Sequence, residues 1–263
     1  MRVSAGGGIR VERVLSWRVY RDGPAPGPVN MARDHALADM VQPGTAALRL
    51  YGWTRPTLSF GRNEPAGARR VDALDHVRRP TGGRAVLHDR ELTYAVVVPY
   101  RALGGPRTVY RTINEALVLG LRALGADASI SERGRVLPPG AGPCFRVAAP
   151  GEVVVGSRKL VGSAQARLGE ALLQHGSILL AGDQERMPGP REQDRTGTDT
   201  GSTTLEAQIG PVDVCDVRVA VEDAFRRVLG GKWGPGEWDD AGARRIAALQ
   251  TRRYGQDAWT WRR

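Results

Sequence analysis

The strongest constraint on the fold is the run from Glu91 to Pro99, ELTYAVVVP, which is rich in β-branched and aromatic residues and predicts a strand. A second apolar run, Ala171 to Leu180, predicts another, well-buried strand. Between them, apolar residues recur at helical spacing over 108–124, and Gly125 is a suitable residue to end that helix. The helix is expected to pack on the sheet, which places the chain in the mixed α/β class.

Weaker patterns predict the remaining elements. Strands are expected at 13–21 and 46–53, and a hairpin with a two-residue turn at 152–161. Helices are expected after Asn30, which would serve as the N-cap, and at 65–76, 212–229 and 241–251. The polar run 183–203 is rich in Gly, Pro and Thr and predicts a mobile loop. No internal repeat divides the chain, so residues 1–263 are interpreted as one domain with a helical C-terminal edge at 212–263.

Composition excludes several classes of protein. An apolar content of 41% is sufficient for a conventional core. No run of about 18 apolar residues predicts a transmembrane helix, and no early segment resembles a signal peptide. The only cysteines are Cys144 and Cys215, which favours a reducing, cytoplasmic compartment over a disulfide framework. The four histidines lack metal-ligand spacing, so no metal is expected.

The formal net charge of +10 raises the question of nucleic-acid binding. All but two of the 38 basic residues are arginines, and they are spread over the whole chain rather than gathered in one tail or helix. No nucleic-acid motif accompanies them, so neither nucleic acid nor membrane is expected as a partner. A positive surface would equally attract an acidic protein.

Cys144 is the candidate nucleophile because the turn-rich segment 136–143 should present its thiol at a cleft. A cysteine attacks as the thiolate, which needs a cation nearby. Lys159 is the candidate cation, because a lysine in an arginine-rich chain suggests that a compact ammonium is required there. The alternative is an ordinary surface lysine. Cys215 has the spacing of a packed helical face and receives no chemical role.

Small and titratable residues suggest how a substrate could be held. Gly82 and Gly83 could expose backbone N–H groups toward a carbonyl or carboxylate, or simply form a turn. The small residues 162–164 could leave room for an acyl chain, or allow close packing of neighbouring strands. His88 and His175 could act as acid or base, or be structural histidines.

Five segments in order, NMARDHAL, LYGWTRPTLSFG, RRPTGGRAVLHD, KLVGSAQ and LQHGSILL, resemble the lipoate-protein ligase and octanoyltransferase superfamily, which shares its fold with biotin protein ligases. The resemblance covers most of the chain. It implies an α/β (α+β) fold in which a mixed β-sheet is flanked by helices, as in the biotin and lipoate-protein ligase catalytic domains.

The segment GPCF, ahead of GSRKLVGSAQ, is similar to the LipM-type octanoyltransferases of this superfamily. That resemblance implies a catalytic pair in which Cys144 forms an acyl thioester and Lys159 favours its thiolate. Arg84 stands where the ligases tend to have a third glycine, which agrees with the transferase branch. The substrate-binding residues that the resemblance implies are Arg79, Thr81, Gly82, Gly83, His88, Gly162, Ser163 and Ala164.

The implied reaction moves an octanoyl group from octanoyl-acyl carrier protein, through Cys144, to a lysine of a lipoyl domain such as the glycine cleavage H protein, and needs no cofactor. Two positions depart from the family pattern: His35 replaces an acidic residue, and RVAAPG replaces a segment with Ser and Tyr.

Three other readings stay open: an ATP-dependent lipoate or octanoate ligase, an amidotransferase between lipoyl domains, and a non-catalytic module that only binds acyl chains or nucleic acid. The separation of the Cys144 sulfur from the Lys159 nitrogen is the observation that best tests the proposed catalytic pair.

Overall fold

The computed structural model describes residues 14–66, 70–132, 144–146, 148–182 and 201–262. The strands are β1 (Ser16–Arg21), β2 (Thr45–Tyr51), β3 (Thr57–Phe60), β4 (Asp75–Arg78), β5 (Val86–His88), β6 (Glu91–Pro99), β7 (Ala128–Ile130), β8 (Val153–Val155), β9 (Arg158–Leu168), β10 (Ala171–Leu179) and β11 (Lys232–Pro235). The helices are α1 (Gly27–Met40), α2 (Pro106–Ala123), α3 (Leu205–Ile209), α4 (Val214–Leu229), α5 (Asp240–Leu249) and α6 (Asp257–Thr260).

Eight strands form the main sheet in the order β11-β1-β2-β6-β10-β9-β8-β7. Strands β2, β6, β10, β9, β8 and β7 pair antiparallel, whereas β1 pairs in parallel with both β2 and β11. Because side chains alternate along a strand, Leu48 and Leu50 of β2 enter one core while Ala47 and Tyr51 enter the other. The sheet therefore separates two apolar layers, and the mixed α/β prediction is confirmed.

Helices cover both faces of this sheet. Helices α2 and α4 pack together on one face, and α1 and α5 pack together on the other. The predicted helix at 108–124 is confirmed as α2, with Ile113, Leu117 and Leu121 fully buried. Gly125 follows its C-cap with a φ of 99°, a left-handed conformation that glycine adopts without a steric cost.

The predicted strands at 91–99 and 171–180 are confirmed as β6 and β10. The hairpin is also confirmed: β8 and β9 flank the turn Gly156–Ser157, and Val155 pairs with Arg158. Helices α4 and α5 match their predicted ranges within two residues. The C-terminal segment additionally contains β11, which the pattern did not predict and which pairs with the outer edge of β1.

The small sheet β4-β3-β5 overturns the helix predicted at 65–76. Asp75 and His76 belong to β4, which pairs in parallel with β3 from Thr57 to Phe60. Val77 and Arg78 at the end of β4 are fully buried. Pairing with β3 and burial of these residues outweigh the weak helical spacing of the segment, since tertiary contacts commonly override propensity.

Asn30 is not the N-cap of the first helix, contrary to the sequence prediction. Helix α1 begins three residues earlier, with Pro28 in its first turn, where a missing N–H costs nothing. The buried Asn30 side chain instead donates to the carbonyls of Ala25 and Gly52, both at 3.0 Å. Its amide thus ties α1 to the loop after β2.

Cys215 does not lie on a packed face, again contrary to prediction. It is exposed in the first turn of α4, where its N–H donates to the capping carboxylate of Asp213 at 2.6 Å. The buried face of α4 begins two residues later, at Val217.

Most of the loop predicted at 183–203 lies outside the described residues, as does the segment 136–143. Within the described ranges, no helix is long and apolar enough to cross a membrane.

Candidate active site

Cys144 lies in a short 3-10 turn, Cys144–Arg146, beside the small sheet. Its N–H donates to the carbonyl of Ala85, just before β5, at 3.0 Å. The residue is partly buried, and its side chain lines a cavity between the two sheets. The thiol is thus held at a cleft by a backbone hydrogen bond.

Lys159, the second residue of β9, is only 1% exposed and points at this cysteine. Its Nζ lies 3.5 Å from the Cys144 Sγ and 3.2 Å from the Cys144 carbonyl oxygen. The same ammonium donates to the Oε1 of Glu152 at 2.7 Å. The structure therefore brings together the two residues that the sequence selected, and adds a buried carboxylate.

The aromatic ring of Phe145 packs against this lysine, with its centroid 4.9 Å from Nζ. Gly162 on β9 makes the room: a Cβ there would lie 2.8 Å from the Phe145 Cζ and 3.2 Å from the Lys159 Cε. Any larger side chain at 162 would displace the ring or the lysine, so glycine is required here for space.

The buried Arg84 follows Gly82 and Gly83 in the loop between β4 and β5, which we call the glycine loop, and it donates through Nη2 to the Cys144 carbonyl at 3.2 Å. That carbonyl therefore accepts from two cations, Arg84 and Lys159. Arg84 is thus in contact with the candidate nucleophile's own backbone.

The sequence-predicted binding residues divide into two groups. Those that line the cavity with Cys144 are Arg79, Gly83, His88, Gly162, Ser163 and Ala164. Thr81 and Gly82 do not line it: Thr81 is fully buried, and the carbonyl of Gly82 accepts from Arg79 at 3.1 Å. These two residues support the loop behind the cavity wall.

His175 lines the cavity and belongs to a buried network of hydrogen bonds. Its Nδ1 lies 2.8 Å from the Asp34 Oδ2, and its Nε2 lies 2.6 Å from the Thr81 Oγ1. Arg49 donates to the other oxygen of Asp34 at 2.6 Å, and the Tyr51 hydroxyl donates to Oδ2 at 2.9 Å. This network connects helix α1, strand β2 and the glycine loop, so it holds the loop in position.

The pKa values of His175 and Asp34 in this network are both lowered. Burial lowers the pKa of His175, which keeps its ring neutral against the opposing effect of Asp34. Burial alone would raise the pKa of Asp34, but the Arg49 charge and the hydrogen bond with His175 outweigh it, and the pKa is lowered. Asp34 is thus an ionised carboxylate paired with Arg49, and His175 is a neutral hydrogen-bonding group.

His88 is similarly engaged at the other end of the cavity. Its Nδ1 lies 2.8 Å from the Glu91 Oε1, its Nε2 lies 2.6 Å from the Ser59 Oγ, and its ring stacks on Trp53 at 3.9 Å. The buried Arg79 donates to the Ser59 Oγ at 2.6 Å, and burial lowers its pKa. Both ring nitrogens of His88 are therefore occupied, as expected of a positioning histidine.

No group of three or more His, Cys, Asp or Glu side chains that could hold a metal occurs among the described residues.

A family model named lipoyl protein ligase A/B catalytic domain matches residues 26–226, which is most of the chain and includes every cavity residue named above. The chain belongs to this family.

Relatives in the lipoyl protein ligase A/B family extend over nearly the whole chain. Octanoyltransferase LipM of Kyrpidia tusciae is 40% identical over 94% of this chain and 99% of its own length. Octanoyltransferase LipM of Bacillus subtilis is 33% identical over the same shares.

Solved structures of lipoate-protein ligases share the fold. A putative lipoate-protein ligase of T. acidophilum with bound lipoic acid has a TM-score of 0.78 at 22% identity, covering 94% of this chain and 99% of its own. A lipoate-protein ligase A bound with ATP has a TM-score of 0.77 at 22% identity over the same shares. The expected lipoate-protein ligase fold of the domain is thereby confirmed.

Several site residues of this family member were not selected from its sequence. Glu152 carried a weak signal, because it is a lone charge directly before an apolar strand and begins the hairpin that carries one of the two lysines. Asp34 carried one as an acid among the mostly small and apolar residues of its helix. Phe145 belongs to the GPCF segment but received no role of its own, and Glu91 had no signal, because charged residues beside strands are common.

Proposed function

We propose that this protein is an octanoyltransferase that carries the acyl group as a thioester on Cys144. The observation that carries the proposal is the 3.5 Å separation of the Lys159 Nζ and the Cys144 Sγ at the wall of a cavity. An ammonium at this distance favours the thiolate, which is the nucleophilic form of cysteine. The full-length similarity to proteins named octanoyltransferase LipM supports the acyl group.

In the first half-reaction, the Cys144 thiolate attacks the carbonyl of an octanoyl thioester. The new C–S bond to Cys144 replaces the C–S bond to the donor thiol, which leaves as a thiolate and takes up a proton. One thioester is exchanged for another, so the step needs no ATP. We infer that the donor is octanoyl-acyl carrier protein.

In the second half-reaction, the neutral amine of an acceptor lysine attacks the acyl-enzyme. A C–N bond forms, the C–S bond to Cys144 breaks, one amine proton is released, and the thiolate returns to its place beside Lys159. We infer that the acceptor lysine belongs to a lipoyl domain, the glycine cleavage H protein being the foremost candidate. A reducing compartment such as the cytoplasm would keep the thiol free for this cycle.

The cavity supports a role in holding the acyl chain. Gly162, Ser163 and Ala164 present small side chains along β9, and Met31 and Val86 add apolar contacts. For the oxyanion, we propose the N–H of Gly83, which lines the cavity and has no acceptor among the described residues. The N–H of Cys144 is a poorer candidate because it already donates to Ala85. One such donor contributes about 2.7 to 4 kcal/mol in a well-studied protease.

The test supplies octanoyl-carrier protein and an apo lipoyl domain, without ATP or magnesium. Intact-protein mass spectrometry should find an octanoyl adduct on Cys144 that hydroxylamine releases, followed by octanoylation of the acceptor lysine. Free octanoate with ATP and magnesium should label neither protein.

Two results would replace the proposal. Efficient labelling of the acceptor from free octanoate and ATP, but not from the carrier protein, would establish a ligase in which Cys144 is incidental. Labelling from an octanoylated lipoyl domain, but not from the carrier protein, would establish an amidotransferase.

A further inference from the structure

Five arginines surround a depression on the side of the main sheet that carries α1 and α5. We call this depression and its arginines the arginine surface. It is lined by Arg62, Arg167, Arg245, Arg252 and Arg253, with His35 of α1 at its base. The arginines come from four elements: the loop after β3, the end of β9, helix α5 and the turn that follows α5. Folding alone brings these charges together, so no run in the sequence marks the surface.

The arginine surface keeps an excess of positive charge. Arg245 pairs with Asp39 at 2.6 Å, and Arg167 pairs with Glu170 at 2.7 Å. Arg62 and Arg252 are exposed, and no carboxylate in the described part of the chain pairs with either of them. Two guanidinium groups are thus available to an anionic partner.

The charges at this surface also repel one another. Burial, together with the nearby charges of Arg253, Arg245 and Arg62, lowers the pKa of His35 against the opposing effect of Asp39. An anion bound at the surface would relieve this repulsion, because it would place negative charge among cations that lack enough carboxylates.

The arginine surface borders the active-site cavity through the glycine loop. The N–H of Arg62 donates to the carbonyl of Thr81 at 2.7 Å. The Thr81 hydroxyl lies 2.6 Å from the Nε2 of His175, which lines the cavity. The backbone of Arg62 is therefore linked to the cavity wall through the buried Thr81.

We propose that the arginine surface docks the acidic carrier protein that delivers the acyl thioester. The inference rests on the proposed function and adds the place where the donor binds. The thioester arm of a carrier protein is attached through a phosphodiester, and guanidinium groups recognise phosphate and carboxylate oxygens in bidentate geometry. The phosphate of the donor's arm is an anion that exposed guanidinium groups recognise, so we assign this surface to the donor.

The test compares two donors in single-turnover acylation of Cys144, followed by mass spectrometry. One donor is octanoyl-carrier protein, and the other is a small neutral octanoyl thioester without phosphate. The variant R62E/R252E should lower the second-order rate constant of acylation by the carrier protein about tenfold or more and leave that for the small thioester within about twofold, because only the carrier protein is electrostatically steered.

Arg227→Glu is the control matched in charge to each of the single variants Arg62→Glu and Arg252→Glu, since Arg227 is exposed on α4 at the opposite face of the main sheet. It should leave both donors within about twofold of wild type. Melting temperature would confirm that each variant is folded. Raising the salt concentration should slow wild type with the carrier protein and reduce its difference from R62E/R252E, because salt screens exposed charges.

Each contrary result has a distinct meaning. Equal behaviour of R62E/R252E and Arg227→Glu with the carrier protein would overturn the docking site. An equal loss with both donors would overturn the docking site by showing an effect on the cavity. A loss confined to the transfer to the acceptor would overturn it by showing that the surface binds the acceptor instead.

If the small thioester acylates Cys144 but the carrier protein does not even in wild type, the inference fails while the thioester chemistry stands. If neither donor acylates wild type, the proposed function itself fails.

Discussion

The carboxylate of Glu152 lies 2.7 Å from the ammonium of Lys159, and both side chains are nearly buried, at 7% and 1% exposure. The other oxygen of Glu152 accepts from the N–H of Ala149 at 2.8 Å, which fixes the carboxylate. The ammonium therefore has a fixed counter-ion on one side and the Cys144 sulfur on the other. A buried ion pair is costly to break from one end, because the remaining charge loses its partner without regaining water.

Removing the charge of Glu152 should destabilise the fold. Glu152→Gln should lower the free energy of unfolding by about 3 kcal/mol, because Lys159 would be left as a poorly compensated buried cation. The double variant Glu152→Gln, Lys159→Met should recover part of this loss, since no buried charge remains. Urea unfolding of wild type, both single variants and the double variant measures the coupling. Additive losses would show that the two residues do not interact energetically.

Removing the charge of Lys159 should slow reactions of the neighbouring thiol. Lys159→Met keeps a long, unbranched side chain but not the ammonium, and the alkylation rate of Cys144 by iodoacetamide at pH 7 should fall about tenfold, as expected from a Coulomb interaction of one to a few kcal/mol at this distance. Peptide mapping gives the rate for each cysteine, and Cys215 serves as the internal control because it is exposed on α4. An unchanged rate at Cys144 would mean that the lysine does not activate it.

Cysteine substitutions should separate the two thiols. Cys144→Ala should reduce octanoyl transfer by about 1,000-fold or more, the scale on which loss of a nucleophile acts. Cys215→Ser should leave transfer within about twofold, because this side chain is exposed in the first turn of α4 and does not line the cavity with Cys144. Octanoylation of the acceptor is measured for both. Full activity of Cys144→Ala would refute the thioester intermediate.

A methyl group at position 162 should disturb the packing of the Phe145 ring and the Lys159 side chain. Gly162→Ala would place its Cβ 2.8 Å from the Phe145 ring, so the free energy of unfolding should fall by about 1 to 3 kcal/mol and acylation of Cys144 should slow. Gly23→Ala is the control, since nothing lies within 4 Å of its Cβ and its effect should stay within about 0.5 kcal/mol. Urea unfolding and acylation rates test both variants, and equal results would contradict the packing argument.

Stability should decrease as the pH falls below about 6.5. The folded-state pKa of His175 is lowered by burial from its ordinary 6.5, so below that pH the unfolded chain binds a proton that the folded chain does not. The loss begins near pH 6.5 and grows until the pH passes the lower folded-state pKa. The pKa of His35 is also lowered, and it contributes in the same direction.

Urea unfolding at pH 7.5 and pH 5.0 measures this dependence. His175→Gln should lose less stability between the two pH values than wild type, whatever its stability at pH 7.5. Parallel losses would show that His175 does not contribute.

Elements with strong local patterns were predictable. The strands β6 and β10 and the helix α2 bury nearly continuous or periodic apolar residues, so their types follow from the order of residues alone. The start of α1, strand β4 and the exposure of Cys215 were predicted wrongly, and strand β4 in particular depends on pairing with β3, which is distant in sequence. Asn30, for example, is held inside its helix by the carbonyls of Ala25 and Gly52 rather than by the helix start.

By itself, the sequence determined the mixed α/β class, the family resemblance and the choice of Cys144 and Lys159 as the residues to examine. The tertiary structure alone decided that their side chains meet, that Glu152 forms an ion pair with the Lys159 ammonium, and that arginines from four segments form one surface. The reason is physical. Backbone propensity and apolar periodicity act between residues close in the chain, whereas Coulomb attraction, hydrogen bonding and close packing act between residues close in space, and only the folded chain defines which those are.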